Sequence, residues 1–215
     1  MQGLTRNVRF FKERQNHLRV LSREEEERYL ATASPLLRHI ATIMLETGMR
    51  PGEIDKPGQD DLDLSLGSVF VCPGGIENAT RYIPLTQRAL RILANRLQAA
   101  TSEWLFPCPF DELKPVKNVR RAHDASVAWS GIIPRFRRYD LRHTALSRLA
   151  MAGIDLPTLN GIAGHSQIQM TMRYVHPTPE HKRRSVLKFE ELSRELVAES
   201  AKELSAKCIG DDSSR

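Results

Sequence analysis

The chain has 215 residues, 40% of them hydrophobic and 27% charged, with 32 Lys and Arg against 26 Asp and Glu for a net charge of +6. That suits one large globular domain, or a domain with an appendage, and the basic excess points toward a polyanionic partner without singling one out. Three cysteines at unrelated spacings, Cys72, Cys108 and Cys208, exclude a disulfide framework or a cysteine zinc site and imply a reducing compartment. There is no apolar run near the roughly 20 residues of a membrane span and no signal-peptide core, so a cytoplasmic location without membrane contact is expected.

Residues 1–20 ("RNVRFFKERQNHLRV" and its flanks) read as a basic arm or linker. Ser22 with Glu25 three residues on forms a capping box for a helix over "SREEEERYLATA", whose acids sit at the favourable dipole end. "PLLRHIATIMLETG" predicts a second helix with Leu37, Ile40, Ala41, Met44 and Leu45 as its buried stripe and Gly48 as the residue that ends it. The only β-rich stretch, "SVFVCPGGIENATRYIPLT", reads as a hairpin. Thr86 caps a helix over "QRALRILANRLQ" with Leu90, Leu93, Ala94 and Leu97 on its apolar face. "WLFPCPF" reads as a loop with aromatic anchors, and residues 115–130 as a weaker helix.

"YDLRHTALSRLAMAG" predicts a strong helix ended by Gly153, and Asp155 caps "LPTLNGIAG". Ser166 and Gln169 read as a capping box for "QIQMTMRYV". A long helix starts at Thr178-Pro179 and runs to about Lys207, with Val186, Phe189, Leu192, Leu196, Val197 and Leu204 on one side. The last few residues read as a disordered tail. The class is mainly α with one small antiparallel β-hairpin or sheet. Arginine is concentrated between Arg135 and Arg148, which suits phosphate contacts.

Polar residues at three places interrupt this apolar pattern. Taken singly, Arg50 after Gly48 reads as a surface charge, His165 after Gly164 as a loop histidine bound to a carbonyl, and Tyr174 as core packing. Their order is more informative. "TGMRPGE", then "YDLRHT" with Arg142, then "GHS" 23 residues after that arginine, with Tyr174 nine residues beyond His165, closely resembles the catalytic domain of the tyrosine recombinase (phage integrase) family. The resemblance runs from about Leu21 to Pro179.

The resemblance implies a catalytic domain over 21–177, followed by a C-terminal helix over 178–207 that docks on a neighbouring protomer or on its own domain, and a tail over 208–215. It implies a DNA breaking-rejoining fold and a site-specific recombinase acting on double-stranded DNA as a homo-oligomer, a synaptic tetramer. Tyr174 would attack a backbone phosphorus to give a covalent 3′-phosphotyrosyl link, with Arg50 and Arg142 clamping the transition state and His165 donating a further bond. The bond energy is kept in the link, so no cofactor and no metal is expected. Glu53 matches a family carboxylate able to orient an arginine or imidazole, although an exposed first-turn acid is an equal reading; His143 is expected to point elsewhere and to be structural.

The chain departs from the family pattern at two places. Tyr139 stands where the family usually has a histidine, and a phenol makes a poor base at neutral pH. The family's hairpin lysine, the general acid for the leaving oxygen, falls at Gly75 or Ile76, and no lysine lies between Cys72 and Pro84; Arg81 is the sole cation there and belongs to the strand. About 20 residues precede the domain where the family commonly carries an N-terminal DNA-binding domain. The alternative is a degenerate, non-catalytic DNA-binding module that keeps the phosphate clamp; a relaxing topoisomerase is a third reading. Metal hydrolysis has no support, because His176 and His181 come without a HExxH motif or paired acids.

Overall fold

A computed structural model describes residues 18–72, 80–175 and 179–210. Most of the basic arm, the hairpin turn with Gly75 and Ile76, residues 176–178 and the final five residues lie outside it.

Helix α1, Arg23–Thr32, opens as the sequence predicts: Ser22 Oγ accepts from the Glu25 amide at 3.2 Å, and Glu25 accepts from the Ser22 amide at 3.0 Å. Helix α2, Pro35–Thr47, is the centre of the core, with Leu37, Ile40, Ala41, Ile43, Met44 and Leu45 all buried. It packs against α1, against α4 (Gln87–Gln98) and against α6 (Arg138–Met151). Gly48 ends α2 with φ 69°, and a Cβ there would lie 2.9 Å from a methyl of Leu146. Only glycine allows both the left-handed turn and this approach of α2 to α6. The approach brings Arg50, at the start of the short helix α3 (Pro51–Ile54), beside α6.

The hairpin is present and larger than expected. Strand β1 (Leu62–Asp63) joins β2 (Ser68–Val71) and β3 (Arg81–Pro84) in an antiparallel sheet of order β1-β2-β3. Val69 pairs with Ile83 and Val71 with Arg81. Side chains two apart share a face, so Arg81 points with buried Ile83 toward the protein while Tyr82 is turned to solvent.

The loop expected over "WLFPCPF" contains β4 (Pro107–Cys108), which pairs with β5 (Asp111–Pro115) as a second small sheet. Phe106 anchors it in the core, but Phe110 is exposed. Helix α5 therefore starts at Arg120, not near residue 115, and ends at Trp129. It is fixed to α1 by Tyr29, whose hydroxyl lies 2.8 Å from His123 Nδ1.

Helix α7, Leu156–Ala163, begins with Asp155 Oδ1 accepting from the Thr158 amide at 2.9 Å. Helix α8 is only Ile168–Met172; its cap position is Gln167, with no side-chain cap bond, so the Ser166–Gln169 box does not form. Helix α9 runs Pro179–Gly210, three residues past the expected Lys207, with Val186, Phe189, Leu192 and Val197 exposed; the Leu204 side chain lies outside the description. No helix among the described residues is long and apolar enough to cross a membrane.

Candidate active site

Arg142 is the best-held residue of the site. Its position in α6 makes it fully buried, between the C-terminal ends of two helices. Nη1 donates to the Gly48 carbonyl at 2.8 Å, at the end of α2, and Nη2 donates to the Ala163 carbonyl at 2.7 Å, at the end of α7. Both helix ends carry partial negative charge, which favours a cation there. Nη2 also lies 2.9 Å from His165 Nε2. Nε is buried with no partner among the described residues. An unpaired buried donor on a cation is costly, and an arriving anion removes that cost. Burial first, and then the charge of Arg50, push this guanidinium below its usual pKa.

Arg50 reaches the same place from the other side. Its Nη2 donates to the Gly164 carbonyl at 2.6 Å, one residue beyond the acceptor of Arg142. Its Nη1 donates to Glu53 Oε1 at 2.7 Å. Glu53 is buried and held between two arginines, since Arg81 Nη1 and Nη2 reach its two oxygens at 3.1 and 2.9 Å. Burial raises the Glu53 carboxyl pKa, but hydrogen bonds from Arg81 and Arg50 outweigh it and bring the value down to about 2. The first-turn acid is therefore an internal brace, not a surface charge. Arg81 also donates to the Ile162 carbonyl at 2.9 Å and lies directly over Gly164.

His165 follows Gly164, which ends α7 at φ 62°. Thr171 Oγ1 donates to Asn160 Oδ1 at 2.6 Å and so can accept from His165 Nδ1, 2.8 Å away. That places the imidazole proton on Nδ1 and leaves Nε2 as acceptor toward Arg142. Burial, with Arg142 and Arg50 adding to it, pulls the His165 pKa down to about 4. The ring is neutral at physiological pH.

Tyr174 stacks on His165, with ring centroids 6.0 Å apart and planes 6° from parallel. It is buried with Leu146, Leu159 and Ala163, and burial raises its pKa. Its hydroxyl lies 2.8 Å from His143 Nδ1. The expectation that His143 points elsewhere is thus corrected. One helical turn before His143, Tyr139 packs edge-on against its ring at 5.0 Å, half-exposed.

All five expected site residues, Arg50, Tyr139, Arg142, His165 and Tyr174, belong to one connected set. Sequence reasoning missed Arg81, Thr171 and Asn160. The period-two alternation of β3, which puts Arg81 on the face of Ile83, was the available signal for the first; no local pattern marks the other two. Beside Arg50 a cleft of about 620 Å³ opens, lined by Glu53, Lys56, Phe70, Cys72 and Tyr139 among others. No cluster of metal-ligating residues occurs among the described residues.

The profile of the phage integrase family matches residues 19–181. The chain belongs to the phage integrase family. It is 30% identical over 198 residues to the integrase of Haemophilus phage HP1, covering 86% of this chain and 51% of that protein. The solved catalytic domain of bacteriophage HP1 integrase superposes with a TM-score of 0.60 at 26% identity, covering 82% of this chain and 97% of that one. The Tn1549 transposon integrase, solved in complex with circular intermediate DNA, shares the fold with a TM-score of 0.67 at 20% identity, covering 80% of this chain and 67% of that one. The chain spans about half the length of the curated relatives it matches first.

Proposed function

We propose that this chain carries the catalytic domain of a site-specific DNA recombinase that cuts and rejoins double-stranded DNA through a 3′-phosphotyrosyl link at Tyr174. The observation that carries the reading is Arg142: a fully buried guanidinium with an unpartnered Nε, beside Arg50, His165 and the Tyr174 ring. Such a cradle suits the negative charge that gathers on a phosphate in the transition state. Arg50 and Arg142 are the clamp; the neutral His165, whose Nε2 accepts from Arg142, holds that guanidinium in place instead of donating to the phosphate as the sequence suggests, while Tyr139 lines the cleft where the leaving strand would lie. The related proteins support this reading: integrases match across most of this chain, and one was solved on DNA. The reaction would take place in the cytoplasm, by protomers assembled on DNA, with the exposed apolar side of α9 docking on a neighbour.

Leaving-group protonation is the open chemical requirement, because no lysine lies between Cys72 and Pro84. Lys56 is the lysine that lines the described cleft. General-acid help is worth about 10²–10⁴ in rate. Ordinary phosphodiesters are therefore expected to react slowly, and a 5′-bridging sulfur substrate, which needs little protonation, far faster. The test uses nicked duplexes with randomised flanks that trap the covalent adduct. Tyr174→Phe is expected to abolish the adduct and leave DNA binding nearly unchanged. DNA binding by the wild type with no adduct on either substrate would establish the non-catalytic DNA-binding module instead.

A further inference from the structure

We propose that His143 is the base that takes the proton of Tyr174 as its oxygen attacks phosphorus. The inference rests on Tyr174 being the nucleophile, as proposed above.

The geometry is direct. His143 Nδ1 lies 2.8 Å from the Tyr174 hydroxyl, within the range from which a positioned base abstracts a proton. Arg142 also hydrogen-bonds Tyr174, but a guanidinium carries no acceptor, so of the two partners His143 is the one able to take the proton. The other imidazole of the site is less suited. His165 stacks flat against the Tyr174 ring, and its own nitrogens are engaged by Arg142 and Thr171. Tyr139, where the family usually has a histidine, makes a poor base and lies against the His143 ring. His143 is thus the imidazole aimed at the reacting oxygen. Helix geometry explains how: Tyr139 and His143 are four residues apart and share a face of α6.

Tyr174 Oη forms the bond to phosphorus while its proton passes to His143 Nδ1. The P–O5′ bond breaks with its electron pair on the 5′ oxygen, which takes a proton from water; a bridging sulfur leaves as thiolate. On rejoining, a 5′-hydroxyl attacks and gives up its proton to water, the phosphotyrosyl bond breaks, and His143 returns its proton to the Tyr174 oxygen. His143 must be neutral beforehand, with its proton on Nε2. Burial, Arg137 and Arg142 hold its pKa below the ordinary 6.5, against Asp140, which raises it. Tyr139 on its own helix and His165 and Tyr174 opposite complete the groups facing it.

The experiment is single-turnover adduct formation by the full chain on nicked duplexes carrying a 5′-bridging phosphorothiolate, with flanks selected for reaction with the wild type. That leaving group removes the general-acid requirement, so the first proton transfer is what is read. His143→Asn is expected to react about 10²-fold more slowly with unchanged DNA affinity. The wild-type rate is expected to fall at acid pH, with a break lying below the ordinary 6.5 and absent from His143→Asn. Imidazole in the buffer should restore His143→Ala by about tenfold or more. A His143→Asn rate within about threefold of wild type, or a wild-type profile without the acid break, overturns the inference. The break is read on the unmutated protein and does not depend on a variant folding. An adduct that persists in Tyr174→Phe, or a wild type that forms none, overturns the nucleophile reading and this inference with it. Failure of the base alone leaves Tyr174→Phe silent and the wild type reactive.

Discussion

Arg142 makes three of its recorded contacts through fork geometry that a lysine does not have. Arg142→Lys is therefore expected to lower the cleavage rate on the order of 10² or more, and Arg50→Lys to do the same. Full activity of the double lysine variant in the adduct assay would remove the clamp role. His165 yields a pH prediction. Its folded pKa of about 4 lies below the ordinary 6.5. Unfolding therefore takes up a proton between those values: the stability is fully present above about pH 6.5 and is lost as pH falls toward about 4. Discounted for solvent screening, the loss is about 1 kcal/mol by about pH 5. Urea unfolding at about pH 7.5 and about pH 5 should show a smaller drop for His165→Gln than for wild type. Glu53 acts in a lower window, since its stabilisation is lost from about 4.5 down through about 2.

At the scale of elements, the site depends on how α7 ends. The last carbonyls of α7 and the Gly164 carbonyl hold Arg142, Arg50 and Arg81 in one row. Gly164 has φ 62°, and a Cβ there would lie 2.7 Å from the Arg81 guanidinium. Gly164→Ala combines backbone strain with displacement of Arg81 from Glu53. It should cost about 2–3 kcal/mol in chemical denaturation and lower cleavage as well. A variant as stable as wild type would mean that this junction is soft. The three-stranded sheet matters for the same reason, because its register is what turns Arg81 inward.

For the whole molecule, the basic character is less of a DNA comb than the arginine run suggests. Arg142 is buried, Arg148 is paired with Glu26, and Arg138 binds Asp55 at 3.0 Å and the Pro51 carbonyl at 2.9 Å. Arg135 and Arg137 remain exposed. Binding to duplex DNA should weaken steeply with salt, and Arg135→Ala and Arg137→Ala should each reduce the slope of log affinity against log salt by about 1. Fluorescence anisotropy across a salt series measures this; a slope unaffected by both changes would place the phosphate contacts elsewhere.

Local rules carried much of the sequence reading. The caps at Ser22, Thr86 and Asp155, the glycine ends at Gly48 and Gly164, and the α2 stripe depend on neighbours within a few residues, so they are written in the chain. Strands β1, β4 and β5 were not legible, being two to five residues long and rich in Asp, Leu and Pro, without alternation. The Ser166 box failed because a spacing permits a bond but does not make one. The order of Arg50, Arg142, His165 and Tyr174 indicated the family and the kind of chemistry. Tertiary structure alone decided what holds them: Arg81 against Glu53, Thr171 and Asn160 fixing the His165 proton, and His143 at the Tyr174 hydroxyl. The His143–Tyr174 contact joins residues 31 apart, through the packing of α7 and α8 beside α6. No spacing rule reaches that far, because where a side chain ends depends on the elements stacked against it.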